Sequence, residues 1–173
     1  MRIISGFNKG KKLIMPKDKT TRPLKDMAKE SIFNILIHAN YINFNLKNSK
    51  VLDLFSGIGS FGLECISRGS KFVFFLENYP PVLKVLKNNI SNLKYENKSK
   101  VIDIDAFKID SKTFKGEQKF QIIFCDPPYK EKKIDLLIDN IIEMNILEKN
   151  GIIIIHRKKG DLDIYPSKFK IVD

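Results

Sequence analysis

The sequence has no tryptophan, only two cysteines and two histidines, and no long uncharged apolar run. Each scarcity excludes something. Cys65 and Cys125 sit inside apolar segments without a CxxC pair, so buried reduced thiols are expected rather than a disulfide. His38 and His156 are far apart, and no His/Cys metal site is expected. No segment reaches the ~18 apolar residues of a membrane span. The opening MRIISGFNKGKKL has no apolar core region and no small-residue cleavage site, so no signal peptide is read and a cytoplasmic location is expected. Acidic residues are scarce relative to basic ones: 20 Asp and Glu against 31 Lys and Arg, a formal net charge of +11.

Most of that excess is N-terminal. Residues 1–29 carry nine basic side chains against two acidic ones, Asp18 and Asp26. A basic, glycine-punctuated arm suits a polyanion such as nucleic acid, because phosphate contacts release counterions. The alternative is a solvated lysine-rich surface. A chain of 173 residues fits one domain, here 1–173, with a basic arm or hairpin over 1–22 and a core over 23–173. A monomer is expected.

Strand and helix patterns alternate along the chain. RIISG and KKLIM flank FNKG, which predicts an N-terminal hairpin. From Pro23 the pattern turns helical, with Ala28, Ile32, Ile35, Leu36 and Ala39 on one face. VLDLF (51–55) is a strand running into glycine-rich SGIGSFG, and Gly69 is a C-cap candidate for the helix that follows. FVFFLE (72–77), VIDIDA (101–106), QIIFCD (121–126) and GIIIIH (151–156) are further strands; 80–93 and roughly 131–146 are helices. Runs this apolar indicate strands covered on both faces. The expected fold is α/β, a mostly parallel twisted sheet with helices on both sides. Ligands bind outside the carboxyl ends of such strands, where Asp53, Glu77, Asp105, Asp126 and His156 fall.

Gly57-Ile58-Gly59-Ser60-Phe61-Gly62 matches GxGxxG between a strand and a helix, and Glu77 lies 20 positions beyond Gly57, where a carboxylate can accept from ribose hydroxyls. Alone, this would suit a dinucleotide. Asp53, just before the turn, would repel a pyrophosphate but complement the ammonium and sulfonium of S-adenosylmethionine. The helix N-terminus after Gly59 can receive the methionine carboxylate. Asp105 ends the third strand where an adenine amino group would lie, beside Ala106 and Phe107, whose ring could pack on the base. Capping or turn formation is the plainer role for any one of these acids.

The segment Asp126-Pro127-Pro128-Tyr129 closes the fourth strand. An exocyclic amine on a base is a poor nucleophile because its lone pair is delocalised into the ring. Two acceptors on its protons restrain the nitrogen and direct the lone pair at a methyl donor. Asp126 supplies one acceptor and the Pro127 carbonyl the other, locked because paired prolines fix φ and resist helix. Tyr129 offers a face for stacking an extruded base. The expected reaction is in-line attack on a sulfonium methyl, with Asp126 as a proton acceptor. A proline-rich strand terminator is the alternative.

Taken together, RIISGFNKGKKL (2–13), TRPLKDMAKESIFNIL (21–36), VLDLFSGIGSFGLECISRGS (51–70), FLE (75–77), DAF (105–107) and DPPY (126–129) resemble the RsmD-like small-subunit ribosomal RNA guanine-N2 methyltransferases. The resemblance spans most of the chain. It implies an S-adenosylmethionine-dependent, Rossmann-like fold acting on the N2 amine of a guanine in 16S ribosomal RNA, within the small subunit or an assembly intermediate. It further implies cofactor contacts from Asp53, Phe55, Gly57, Gly59, Glu77, Asn78, Asp105, Ala106 and Phe107, with Arg22 near the methionine end or the target base. Asp126, Pro127 and Tyr129 would hold the guanine amine, and residues 2–13 would touch RNA.

Three departures accompany the resemblance. Leu24 stands where the family often has threonine. The family's glutamate near Ile155-His156 is absent, and His156 is read as a polar strand terminus. The family's last Tyr-Gly strand has no counterpart before Asp173, so either a sheet one strand short or a shortened chain is expected. The competing readings are an adenine-N6 methyltransferase of DNA, disfavoured by the lack of a target-recognition domain, a noncatalytic RNA-binding assembly factor, and a dinucleotide oxidoreductase.

Overall fold

A computed structural model describes residues 1–17, 24–42, 45–114, 119–158, 165–167 and 169–171. Five strands form its sheet: β1 (Lys50–Asp53), β2 (Phe72–Leu76), β3 (Ser99–Ile102), β4 (Phe120–Cys125) and β5 (Leu147–Ile155). Their spatial order is β3-β2-β1-β4-β5, and every pairing is parallel. The chain order reverses between β1 and β4. That switch point puts the carboxyl ends of these two strands side by side, with Asp53 opposite Phe124 in the register.

Strand period explains the two-sided core. Val51, Val73, Phe75, Ile122 and Phe124 point into one cluster, packed by α1 (Asp26–His38), α2 (Ser60–Ser67) and α3 (Pro80–Asn92). Leu52, Phe74, Leu76, Ile123 and Cys125 point into the other, closed by α4 (Ile134–Glu143) and by Ile109 and Phe114. On the first face, rings from three elements stack: Phe33 on Phe61 at 5.3 Å between centroids, and Phe61 on Phe124 at 3.9 Å. Both cysteines are buried free thiols, and no helix among the described residues is long and apolar enough to cross a membrane.

Two expectations change. α1 buries Lys29, Phe33 and Leu36, while Ile35 is half exposed, so the inward face is turned from the one its aliphatic residues mark. A buried lysine causes the turn, because Lys29 must reach Glu64 on α2, 3.8 Å away. At the N-terminus the expected hairpin pairs only briefly: Arg2 bridges Lys12 antiparallel, and the Ile3, Gly10 and Leu13 amides donate to the Lys11, Ile3 and Met1 carbonyls. The amides that would extend the ladder are taken by α2: Ile4 and Ser5 donate to Glu64, and Phe7 and Asn8 to Ser67. Leu24 is a buried core residue. Pro23 lies outside the described residues.

Candidate functional site

At the carboxyl end of β1 the chain leaves the sheet through a turn that only glycine makes without strain: Gly57 has φ +52° and Gly59 φ +86°. Gly59 is the N-cap of α2 and offers no capping side chain; among the first-turn amides, that of Gly62 is taken by Asp53. The two glycines differ in surroundings. A Cβ on Gly59 would lie 2.6 Å from Leu86, whereas one on Gly57 would meet nothing within 4 Å, so the turn opens on space at Gly57.

Glu77, just past β2, holds the turn from the side. Its Oε2 accepts from the Gly57 amide at 2.9 Å and its Oε1 from the Tyr79 amide at 2.8 Å, while partial burial raises its pKa. Asn78 beside it is exposed. Past β3, Asp105 caps the 3-10 turn Ala106–Lys108 by accepting from the Phe107 amide at 3.0 Å. Ala106 is buried, and the half-buried Phe107 meets Phe55 at 5.8 Å between ring centroids. Turn, carboxylate and aromatic pair thus come from the ends of three adjacent strands. Carboxylates beside a pair of aromatic rings have the chemistry of a nucleoside site.

Asp53 is placed differently from the other acids. It is 1% exposed, and its Oδ2 accepts from the Gly62 amide at 3.1 Å. Burial, with Asp126 and Glu77 nearby, pushes its pKa up to about 8. The carboxyl therefore holds a proton near neutrality, and the sequence-level picture of a permanently charged acid facing the crevice requires it to ionise first.

Asp126 follows β4 directly, and His156 follows β5. The His156 amide donates to the Cys125 carbonyl at 2.9 Å, which aligns the two strand ends. The imidazole Nδ1 then reaches Asp126 Oδ1 at 2.8 Å. That bond raises the His156 pKa above its ordinary 6.5, against the opposing effect of partial burial. His156 is thus more than the polar strand terminus read from the sequence: it occupies one oxygen of Asp126 and leaves Oδ2 without a hydrogen bond among the described residues. Pro127 is buried behind Asp126, and Tyr129 is 47% exposed. Arg22, placed by resemblance near the site, lies outside the described residues.

Sequence reasoning overlooked a buried polar group that braces the turn from below. Glu64 on α2 is fully buried and accepts from the Ile4 amide (2.7 Å), the Ser5 amide (2.9 Å) and Arg68 Nε (2.8 Å). Lys29 Nζ donates to the Arg2 carbonyl (2.7 Å) and to the Ser60 hydroxyl (3.3 Å) beside the glycine turn. Asn89 on α3 ties the arm to the turn, accepting from the Ile14 amide at 2.7 Å and donating to the Ile58 carbonyl at 3.1 Å. The available signal was an acid inside the otherwise apolar helix SFGLECIS.

Comparison with known proteins agrees across the full chain. The profile of a family described as conserved hypothetical protein 95 matches residues 1–173. The ribosomal RNA small subunit methyltransferase D of Haemophilus influenzae is 32% identical over 173 residues, covering 99% of this chain and 86% of that protein. YlbH of Bacillus subtilis is 36% identical over 154 residues, covering 89% and 80%. Among solved structures, yhhF of Escherichia coli superposes with a TM-score of 0.82 at 24% identity over 100% of this chain and 90% of that one, a likeness of fold.

Proposed function

The chain belongs to the conserved hypothetical protein 95 family, and on that footing we propose that it methylates small-subunit ribosomal RNA, at the exocyclic N2 amine of a guanine, using S-adenosylmethionine. The relative named ribosomal RNA small subunit methyltransferase D, matched end to end, supports the substrate class. The finer reading rests chiefly on one observation: Asp126, with one oxygen tied to His156, stands at the end of the strand next to the glycine turn.

The crevice suits the cofactor. Gly57 leaves room for a ligand against the backbone. Glu77, already held by two amides, would accept from ribose hydroxyls, and Phe55, Asp105, Ala106 and Phe107 would enclose the adenine. The start of α2 would take the methionine carboxylate, with Asp53 toward its ammonium and Asn78 and Arg22 at the periphery. When bound, S-adenosylmethionine supplies an electrophilic methyl group.

This chain's own part is to present and deprotonate the amine. Oδ2 of Asp126 accepts one N–H of the guanine amine, and the Pro127 carbonyl accepts the other. Tyr129 stacks on the extruded base. Donation from His156 holds Asp126 fixed in rotation, so binding energy is directed to orientation. As the nitrogen gains its methyl group, Asp126 takes the proton it sheds, and the neighbouring imidazole moderates that change of charge.

The test is transfer of labelled methyl groups onto small subunits from cells lacking this activity, followed by nuclease digestion. N2-methylguanosine at one position is expected. Label in N6-methyladenosine of a DNA substrate offered in parallel, and none in the subunits, would support the adenine reading instead, and cofactor binding without transfer would leave an RNA-binding assembly factor.

A further inference from the structure

We propose that Phe7 is a second RNA contact, a ring on which an unpaired base stacks, set apart from the crevice by the length of α2. The inference rests on the reading of this protein as a ribosomal RNA methyltransferase and adds a substrate contact to it. Phe7 is 89% exposed, the most exposed of the large apolar side chains among the described residues. It is not left outward by a loose chain. Its amide donates to the Ser67 carbonyl at 2.8 Å, the Asn8 amide donates to Ser67 Oγ at 3.0 Å, and that hydroxyl donates to the Ser5 carbonyl at 2.6 Å. The Asn8 side chain reaches the Leu93 carbonyl at 3.3 Å. Gly6, at φ +82°, lies so close to the end of α2 that a Cβ there would fall 1.9 Å from the Ser67 oxygen. The backbone is clamped to the helix end and the ring is turned to solvent. A fixed ring loses little freedom on stacking.

Its surroundings select the partner. Arg2, Lys9, Lys11 and Lys12 are all exposed, and residues 1–13 hold no acid. Gly6, Asn8, Lys9 and Gly10 offer no apolar area to continue the ring into a protein-binding patch. A lone aromatic face among lysines is the pairing that recognises single-stranded nucleic acid, phosphates by charge and base by stacking. The eight residues of α2 separate Ser60, at the glycine turn, from Ser67, under the loop. Seven steps of 1.5 Å set these two helix ends about 10 Å apart along that axis. An RNA touching both must be extended or folded across that span.

The test measures affinity for protein-free small-subunit RNA and for small subunits from cells lacking the activity, with methyl-transfer kinetics on the subunits. Phe7→Ala is expected to weaken binding to both RNAs by about 10- to 100-fold, raising KM and leaving kcat and thermal stability unchanged. Phe7→Trp should restore binding; Phe7→Leu should not. Unchanged affinity in Phe7→Ala, restoration by leucine, or a loss confined to protein-bearing subunits would each overturn the proposal, the last pointing to a ribosomal protein. If wild-type protein methylates subunits while Phe7→Ala binds normally, only this contact is lost from the account. A wild-type protein that binds neither RNA overturns the functional reading as well.

Discussion

His156 Nδ1 lies 2.8 Å from Asp126 Oδ1, across the paired ends of β5 and β4. This contact makes a position one residue past the edge strand part of the site. Removing the ring should free Asp126 to rotate. His156→Ala is expected to lower kcat about tenfold, the value of ~1.4 kcal/mol in orientation, without changing cofactor affinity. His156→Asn, whose amide nitrogen replaces Nδ1, should recover most of the loss. Steady-state kinetics with both variants check this. The folded-state pKa of His156 is raised, so the pair's stabilisation is fully present below the ordinary value of 6.5 and fades as pH rises through the folded-state value. The stability gap between wild type and His156→Ala should therefore shrink toward alkaline pH.

Asp53 predicts a trend of the same sign in the whole protein, over a lower pH range. Its pKa is about 8 in the folded state against an ordinary 3.8. Between those values the folded chain retains a proton that the unfolded chain has lost, so stability falls as pH rises and levels off above pH 8. Asp53→Asn should flatten that slope, measured by urea unfolding from pH 5 to 9. Cofactor binding at pH 7 should release a proton in wild type and none in Asp53→Asn, which calorimetry in buffers of different ionisation enthalpy would show.

Lys29 and Glu64 are both fully buried, and removing Glu64 leaves the buried Lys29 with only Asp26, 3.8 Å away, as a counter-charge and takes the partner of Arg68 as well. Glu64→Ala is expected to cost ~3–5 kcal/mol in denaturant unfolding. It should also speed hydrogen exchange at the Ile4 and Ser5 amides, which lose their acceptor. A Lys29→Met, Glu64→Leu double variant should recover much of the stability, and exchange at those two amides should remain fast.

The two turn glycines should separate binding from folding. At Gly57 an added methyl group enters open space at φ +52°, so Gly57→Ala should cost only ~1–2 kcal/mol in stability while weakening cofactor binding. At Gly59 the methyl group would collide with Leu86, and the loss should appear first as a lowered melting temperature. Thermal melts with and without S-adenosylmethionine distinguish the two.

The strands were legible because each is an apolar run ended by a polar residue, as a parallel sheet covered on both faces requires. The helices were legible except where a charge is buried. Lys29 reads as solvent-facing by type, and only its pairing with Glu64 turns α1 inward on a different stripe. The N-terminal segment reads as a hairpin since its turn chemistry is local, but beyond Ile3 its amides go to acceptors on α2, sixty residues away. The same limit applies at the site. Glu77 and Asp126 could be placed at strand ends from the sequence, whereas the burial of Asp53 and the reach of His156 to Asp126 depend on how neighbouring strands are staggered.

The most direct measurement pairs cofactor affinity with turnover in Asp126→Asn, on small subunits from cells lacking the activity. The account predicts S-adenosylmethionine binding within about twofold of wild type and turnover reduced by ~100-fold or more, since the amide loses both the charge and the proton acceptor. Turnover equal to wild type in that variant would contradict the assignment of Asp126 as the group that holds and deprotonates the guanine amine.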